Sequence, residues 1–452
     1  MGRKKKFRLF SAVLSVICVV FVAEAAAPVA AIGNSQFFWW TFLLLAFLLP
    51  YGLIAAELGT SYIGEGGIYD WVRKAFGHKW GARVSWYYWI NYPLWLASLA
   101  VMTPGLLTTI TGFQFTALSA LVLELLFIWL IVWISFYPVS DSIWILNGAA
   151  LIKMILALLV GGLGLYVAFT KGMANEMTLA SLMPSFNLNS LSYISVIIFN
   201  LLGFEVICTF ADDMENPQKQ IPQSIIVAGL VIAAIYIFSA FGIGVAIPVE
   251  EISTSSGMMD SFQLLTGSST GWFIILMAFL FLLTLFGNMI SWSLGVNNTA
   301  SYAAQNGDMP AFFAKRSTKN NMPVGAAIAN GLVASLVVAV APLLPDQDLF
   351  WSFFSLNLVM FLLSYVPVFP AFYKLRRIDP DHPRPFKVSG SQLLLKFLVV
   401  VPMLLIIISL IFTALPLSFD SSTLASQLPI TIGSIIFILA GEAMILIKKI
   451  KK

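Results

Sequence analysis

The chain has 452 residues, of which 59% are hydrophobic and 10% charged, with a mean hydropathy of +0.91. A soluble domain carries about 25% charged residues, so a water-facing enzyme is excluded. The net charge of +4 is small, and where the charges fall says more than their sum.

In chain order, apolar runs of roughly 20 residues, the length that spans a bilayer, predict twelve helices. They lie near 9–33, 37–62, 80–110, 116–137, 142–169, 193–214, 222–247, 271–299, 323–343, 347–373, 392–416 and 427–448. The expected fold class is therefore all-α and polytopic, one membrane domain over 1–452. With the amino terminus inside, 23 of the 25 Lys and Arg residues fall on inside segments; Lys171 lies outside and Lys153 within a span. That asymmetry predicts cytoplasmic N- and C-termini in a cell membrane. A basic start, an apolar run and Ala23-Glu24-Ala25 also resemble a signal peptide. Cleavage would invert the charge pattern, so the segment is expected to be retained. The acidic, Ser-rich connection 248–270 is expected to form a short surface helix. Cys18 and Cys208 fall in apolar runs, which argues against a disulfide or zinc framework. His78 and His382 sit in polar connections. No cofactor, metal or nucleic acid is expected; the partners are small molecules and the lipid bilayer.

Two predicted helices are interrupted at mid-depth. The first reads VVFVAEAAAPVAAIG, with Glu24, small residues and Pro28; the sixth reads YISVIIFNLLGFEVICTFADD, with Gly203 and Glu205. Proline removes a backbone donor and glycine loosens the helix. Freed backbone groups in a bilayer are tolerated only where they line a cavity or are buried in protein. The breaks recur at an interval of five spans, the spacing of two inverted repeats (9–169 and 193–373) followed by two additional helices (392–448), with substrate between the repeats. A proline kink and a packing glycine would be the ordinary explanation. Two breaks that each carry an acid favour a site, because a charge at mid-membrane costs about 2.5–3.5 kcal/mol or more.

Four stretches extend the argument. GEGGIYDWVRKAFG follows the second span, LLGFEVICTFADDMENPQKQIPQSI surrounds the sixth, NNTASYAAQNGDMPAFFAK follows the eighth, and PDHPRPFKV follows the tenth. In this order they resemble the motifs of amino acid–polyamine–organocation transporters, and within that superfamily the bacterial glutamate/γ-aminobutyrate antiporter group. The resemblance implies a leucine-transporter-like 5+5 inverted repeat with helices one and six broken, plus two further helices. One departure is that Ala23-Glu24-Ala25 replaces the Gly-Ser-Gly usual in the first span.

The resemblance also implies roles. Backbone N–H groups at the breaks hold the substrate's carboxylate, here Ala23, Ala25, Ala26 and Ala27 in span one and Phe199, Asn200 and Gly203 in span six. Glu24 sits beside them, where an anion repels a carboxylate and attracts an amine; its plainer role is a helix cap. Glu205 matches a family acid that carries protons or gates, or else packs against span-one backbone. Lys153 matches a lysine whose ammonium replaces a sodium site, which argues against sodium coupling. Trp292 aligns with a tryptophan that packs on substrate in arginine/agmatine antiporters, Phe199 takes the place of their gating tryptophan, and Tyr88 and Tyr92 are weaker candidates for the same wall. Glu124 has no evident partner. Asp212 and Asp213 are expected to cap and gate. A channel would need a continuous polar lining, and a membrane enzyme a nucleophile–base or metal set; the spans offer neither. The expected function is sodium-independent exchange of amino acids or cationic amines, with proton-coupled uptake, or sensing without transport, as alternatives.

Overall fold

The computed structural model describes residues 9–450 except 63, 65, 139–142, 185, 187, 206, 208–213 and 344–347. Its long elements are helices: α1 Leu9–Val20, α2 Ala26–Ala30, α3 Gln36–Ser61, α4 Ile68–Phe76, α5 His78–Thr111, α6 Ala117–Ile134, α7 Ile143–Thr170, α8 Leu188–Asn200, α9 Pro217–Ala246, α10 Gly257–Thr266, α11 Trp272–Gln305, α12 Val324–Val340, α13 Leu349–Ile378, α14 Gln392–Ala414 and α15 Ser421–Ile450. Among the described residues nine are long and apolar enough to cross a membrane, and α12 is a shorter apolar helix. The remaining two expected spans are those that begin with α1 and α8, both of which stop at a break. The protein is an all-α, multi-pass membrane protein.

Burial sorts the helices into layers. The apolar windows of α3 and α13 are 67% and 78% buried, whereas those of α6, α14 and α15 are 22%, 33% and 17% buried. The first pair belongs to the centre and the last three lie at the periphery of the bundle. α13 packs along α5, α9 lies against α7 and α1, and α11 touches α5 and α7. Two backbones meet directly where α7 crosses α9: a Cβ on Gly242 would lie 2.2 Å from the Val160 carbonyl oxygen. Between helices in lipid, where burial of apolar surface gives no net drive, such small-residue contacts supply the packing.

The structure revises two expectations. Pro28 does not make the first break. It falls in the first turn of α2, where backbone N–H groups have no helical partner to lose. The break itself is at Phe21 and Val22, the latter extended at φ −125°, ψ 117°. The helix expected in 248–270 exists as α10, yet it is not merely superficial: Met258, Met259, Phe262 and Leu265 are buried, and α10 packs on α7, α9 and α11.

Gly242→Ala should force α7 and α9 apart and cost about 1–3 kcal/mol. The measurement is the melting temperature of detergent-solubilised protein. Gly162→Ala on the same helix pair, where an added Cβ meets nothing within 4 Å, should leave it unchanged.

Candidate functional site

The first break survives because two side chains from other helices satisfy its backbone. Val22 N–H donates to the Tyr236 hydroxyl at 2.9 Å. That hydroxyl's own proton has two acceptors in reach, Val22 O at 2.8 Å and Asn200 Oδ1 at 3.0 Å. Tyr236, from α9, thus ties the break after α1 to the end of α8. On the other side Lys153, from α7 and 1% exposed, donates from Nζ to the Phe21 carbonyl at 3.1 Å. A buried ammonium needs such acceptors, and the carbonyl needs a donor.

Ala23–Ala25 form one tight turn before α2. All of Ala23, Ala25, Ala26 and Ala27 are buried. The Ala25 N–H donates to Val22 O at 3.3 Å and the Ala26 N–H to Ala23 O. Two of the expected carboxylate donors are therefore already spent within the turn. Glu24 is 2% exposed. It does not cap α2, whose N-cap is Ala25, with no side-chain bond. Instead its carboxylate faces α11: Thr284 Oγ1 approaches Oε1 at 3.5 Å, and Asn288, one turn on, also faces it, while Lys153 acts on it electrostatically. Neither Glu24 Oε2 nor Asn288 Nδ2 completes a hydrogen bond among the described residues, and the same holds for Asn200 Nδ2. Buried polar atoms are usually hydrogen-bonded to protein or to water, so these three are polar groups left available beside the breaks.

The second break follows Asn200. Leu201 and Leu202 N–H turn back to Ile198 O and Phe199 O, and Gly203 takes φ +89°, a conformation glycine adopts without strain. A Cβ there would sit 3.6 Å from the Trp292 ring. Trp292 stands between this glycine and the rings of Phe361 and Tyr88, with centroids 5.7 and 6.1 Å away. Phe199 joins the cluster through Phe361 at 5.3 Å. Tyr92 does not: its hydroxyl donates to Met289 O at 3.0 Å and holds α5 to α11.

Glu205 is 3% exposed and is clasped by tyrosines rather than by span-one backbone. Tyr365 donates to Oε1 at 2.6 Å, Tyr51 donates to Oε2, and Tyr88 faces the same carboxylate. Helices α3, α5 and α13 thereby meet on one acid. Glu124 has no partner among the described residues, and Cys208, Asp212 and Asp213 lie outside them.

At the basic end of the bundle the loop motifs meet. Asp308 accepts from Tyr69 Oη at 2.7 Å, from Arg73 Nε at 2.8 Å, and contacts His78 Nδ1 at 3.0 Å. Burial, reinforced by the hydrogen bond to Asp308, raises the Tyr69 pKa and keeps it a donor. Glu57 accepts from Arg376 and from Val388 N–H at 2.7 Å, with Arg384 Nε 3.4 Å away. These locks, Tyr236, and Tyr51 and Tyr365 beside Glu205 are absent from the sequence expectations, which place Tyr88 only in the aromatic wall. The available signal was an isolated hydroxyl in an apolar run, such as IAAIYIF.

Tyr236→Phe removes the group that satisfies Val22 and Asn200 and should cost about 1–3 kcal/mol. Transport per folded molecule in proteoliposomes should fall further than melting temperature implies, since both breaks lose their common tie. Unchanged transport would leave Tyr236 a packing residue.

Residues 7–440 match the amino acid permease family. The chain is 71% identical to Probable agmatine/putrescine antiporter AguD of Lactococcus lactis, over 98% of this chain and 95% of that protein. It is 28% identical to an uncharacterized transporter of Legionella pneumophila, over 87% and 86%. To a glutamate/gamma-aminobutyrate antiporter of Lactococcus lactis it is 24% identical, over 78% and 73%. The expected placement with the glutamate/γ-aminobutyrate group is therefore corrected, because a protein named for amines is far more similar. The chain belongs to the amino acid permease family of the amino acid–polyamine–organocation superfamily, and is a membrane-embedded secondary transporter of amino acids or amines rather than an enzyme.

Proposed function

We propose that the protein exchanges cationic amines of the agmatine and putrescine class across the cytoplasmic membrane, by alternating access and without sodium. The observation that carries this is Glu24: a buried acid with an unpartnered oxygen at the break where the family keeps Gly-Ser-Gly. An ionised Glu24 opposes a substrate carboxylate in this poorly solvated place and attracts an ammonium or guanidinium. The substrates in the name of the relative at 71% identity, agmatine and putrescine, are both amines without a carboxylate.

In this reading the inverted repeats are 9–169 and 193–373, 392–448 adds two helices, and both termini are cytoplasmic. Substrate lies between the breaks, against Ala23, Glu24, Ala25, Ala26, Ala27, Phe199, Asn200 and Gly203. Trp292 and Tyr88 form its aromatic wall, since a ring face attracts a cation. Glu205, held by tyrosines of three helices, gates. Lys153 stands where a sodium ion would otherwise neutralise the span-one carbonyls.

Paired exchange in proteoliposomes tests the substrate. Wild-type protein should exchange agmatine for putrescine, and Glu24→Gln should raise the apparent KM for both at least about tenfold, the equivalent of 1.4 kcal/mol. For arginine, which keeps its carboxylate, the same change should do little or improve uptake. If no amine is exchanged, or if Glu24→Gln leaves amine exchange intact, the substrate is an ordinary amino acid. A second measurement concerns coupling. Replacing sodium by choline should not alter wild-type exchange, whereas Lys153→Ala should abolish it with the fold retained. A strict sodium requirement would overturn the assignment of Lys153. Proton-coupled uptake, the rival mechanism, would show as amine accumulation driven by a pH gradient into vesicles without internal substrate.

A further inference from the structure

A cavity unrelated to the breaks opens at the basic end of the bundle, where the end of α13 packs on α4 and α14. It encloses about 540 Å³ and is lined by Phe76, Pro370, Tyr373, Lys374, Arg377, Ile378, Lys396, Val399 and Val400. A second cavity of about 220 Å³ shares Tyr373 and Arg377 with it and adds Arg376, Arg384 and Lys387. No carboxylate lines either one. Arg376 and Arg384 are committed to Glu57, but Lys374, Arg377, Lys387 and Lys396 make no ion pair among the described residues.

Bases on this side follow from membrane insertion alone. That bias does not require three of them to surround one concave space with an apolar floor. Pro370, Ile378, Val399 and Val400 supply the floor. It continues onto the lipid-facing side of α14, where Phe397, Val400 and Leu404 are 52%, 42% and 47% exposed. The occupant must therefore be anionic at one end and apolar at the other. A free phosphate would leave the floor wet. Basic pockets between spans on the cytoplasmic side suit the headgroups of anionic lipids, at about 1 kcal/mol per Lys or Arg.

We infer that this cavity binds the headgroup of an anionic phospholipid, with Lys374, Arg377 and Lys396 around its phosphate and its acyl chains along α14. The site lies next to the ion pairs of Glu57 with Arg376 and Arg384, so a bound lipid braces the place where α13 is fastened to α3. The inference depends on no particular substrate.

The test uses delipidated full-length protein in detergent, with melting temperature as the readout. Phosphatidylglycerol should raise it by several degrees, whereas phosphatidylcholine, or inorganic phosphate at equal concentration, should not. The triple variant Lys374→Gln, Arg377→Gln, Lys396→Gln should lose the shift. Lys79→Gln, Lys315→Gln, Lys319→Gln, which removes equal charge from exposed positions elsewhere on the same side, should keep it. If the first triple variant fails to fold, Lys374→Gln and Lys396→Gln singly should each reduce the shift. The idea is overturned if phosphatidylglycerol gives no shift, if inorganic phosphate gives the same one, if the cavity variants retain it, or if the control triple loses as much, which would mean a diffuse positive field.

Discussion

A helix interrupted inside a bilayer leaves backbone groups that hydrocarbon cannot satisfy, and the rest of this structure is arranged around that constraint. Phe21 and Val22 can leave the helix because Lys153 answers one carbonyl and Tyr236 answers the neighbouring amide. Those two side chains come from α7 and α9, the helices whose backbones touch at Val160 and Gly242. The close approach thus does more than pack. It fixes, on either side of the first break, the two donors and acceptors without which the break would refold into helix. Since Tyr236 also reaches Asn200, one hydroxyl proton has an acceptor at each break and ties the two together.

The two buried acids at these breaks are treated differently. Glu205 has each oxygen taken by a tyrosine, and those tyrosines stand on α3 and α13. An acid so held joins helices, and releasing it means breaking two buried hydrogen bonds, each worth about 0.5–1.5 kcal/mol. Glu24 has one long contact to Thr284 and an oxygen without a partner. The contrast makes Glu205 a fastening between helices and leaves Glu24 as the acid that the proposed function assigns to the substrate.

Much of this was legible in the sequence where chemistry is local. The breaks, Glu24, Lys153 and Trp292 announce themselves as charged, small or aromatic residues in apolar runs, and the structure brings them together. What was not legible depends on pairing across the chain. Tyr236 is 214 residues from Val22, and nothing in its own helix says that its hydroxyl belongs to another break. Pro28 was misjudged because proline breaks helices only in their interior, and here the helix restarts just before it. The loop motifs were visible, but that two of them meet on Asp308 and another on Glu57 follows only from folding. The likeness to one antiporter group over another was likewise beyond motifs shared by the whole superfamily.

The departure at Ala23-Glu24-Ala25 acquires a physical sense from the proposed substrates. A site built to hold an amino acid offers donors to its carboxylate. An amine entering such a site leaves those donors buried and unpaired, at about 1–3 kcal/mol each. In the proposed function the Ala25 and Ala26 amides, spent within their own turn, reduce that penalty, and Glu24 offers the amine an acceptor. The same change charges an amino acid twice, once for repulsion by Glu24 and once for the donors it no longer finds. Discrimination built on unpaired polar groups is much steeper than discrimination by size. In the proposed function Glu24 therefore sets the preference for amines over amino acids, while the helices, the aromatic cluster and the Glu205 fastening serve either substrate.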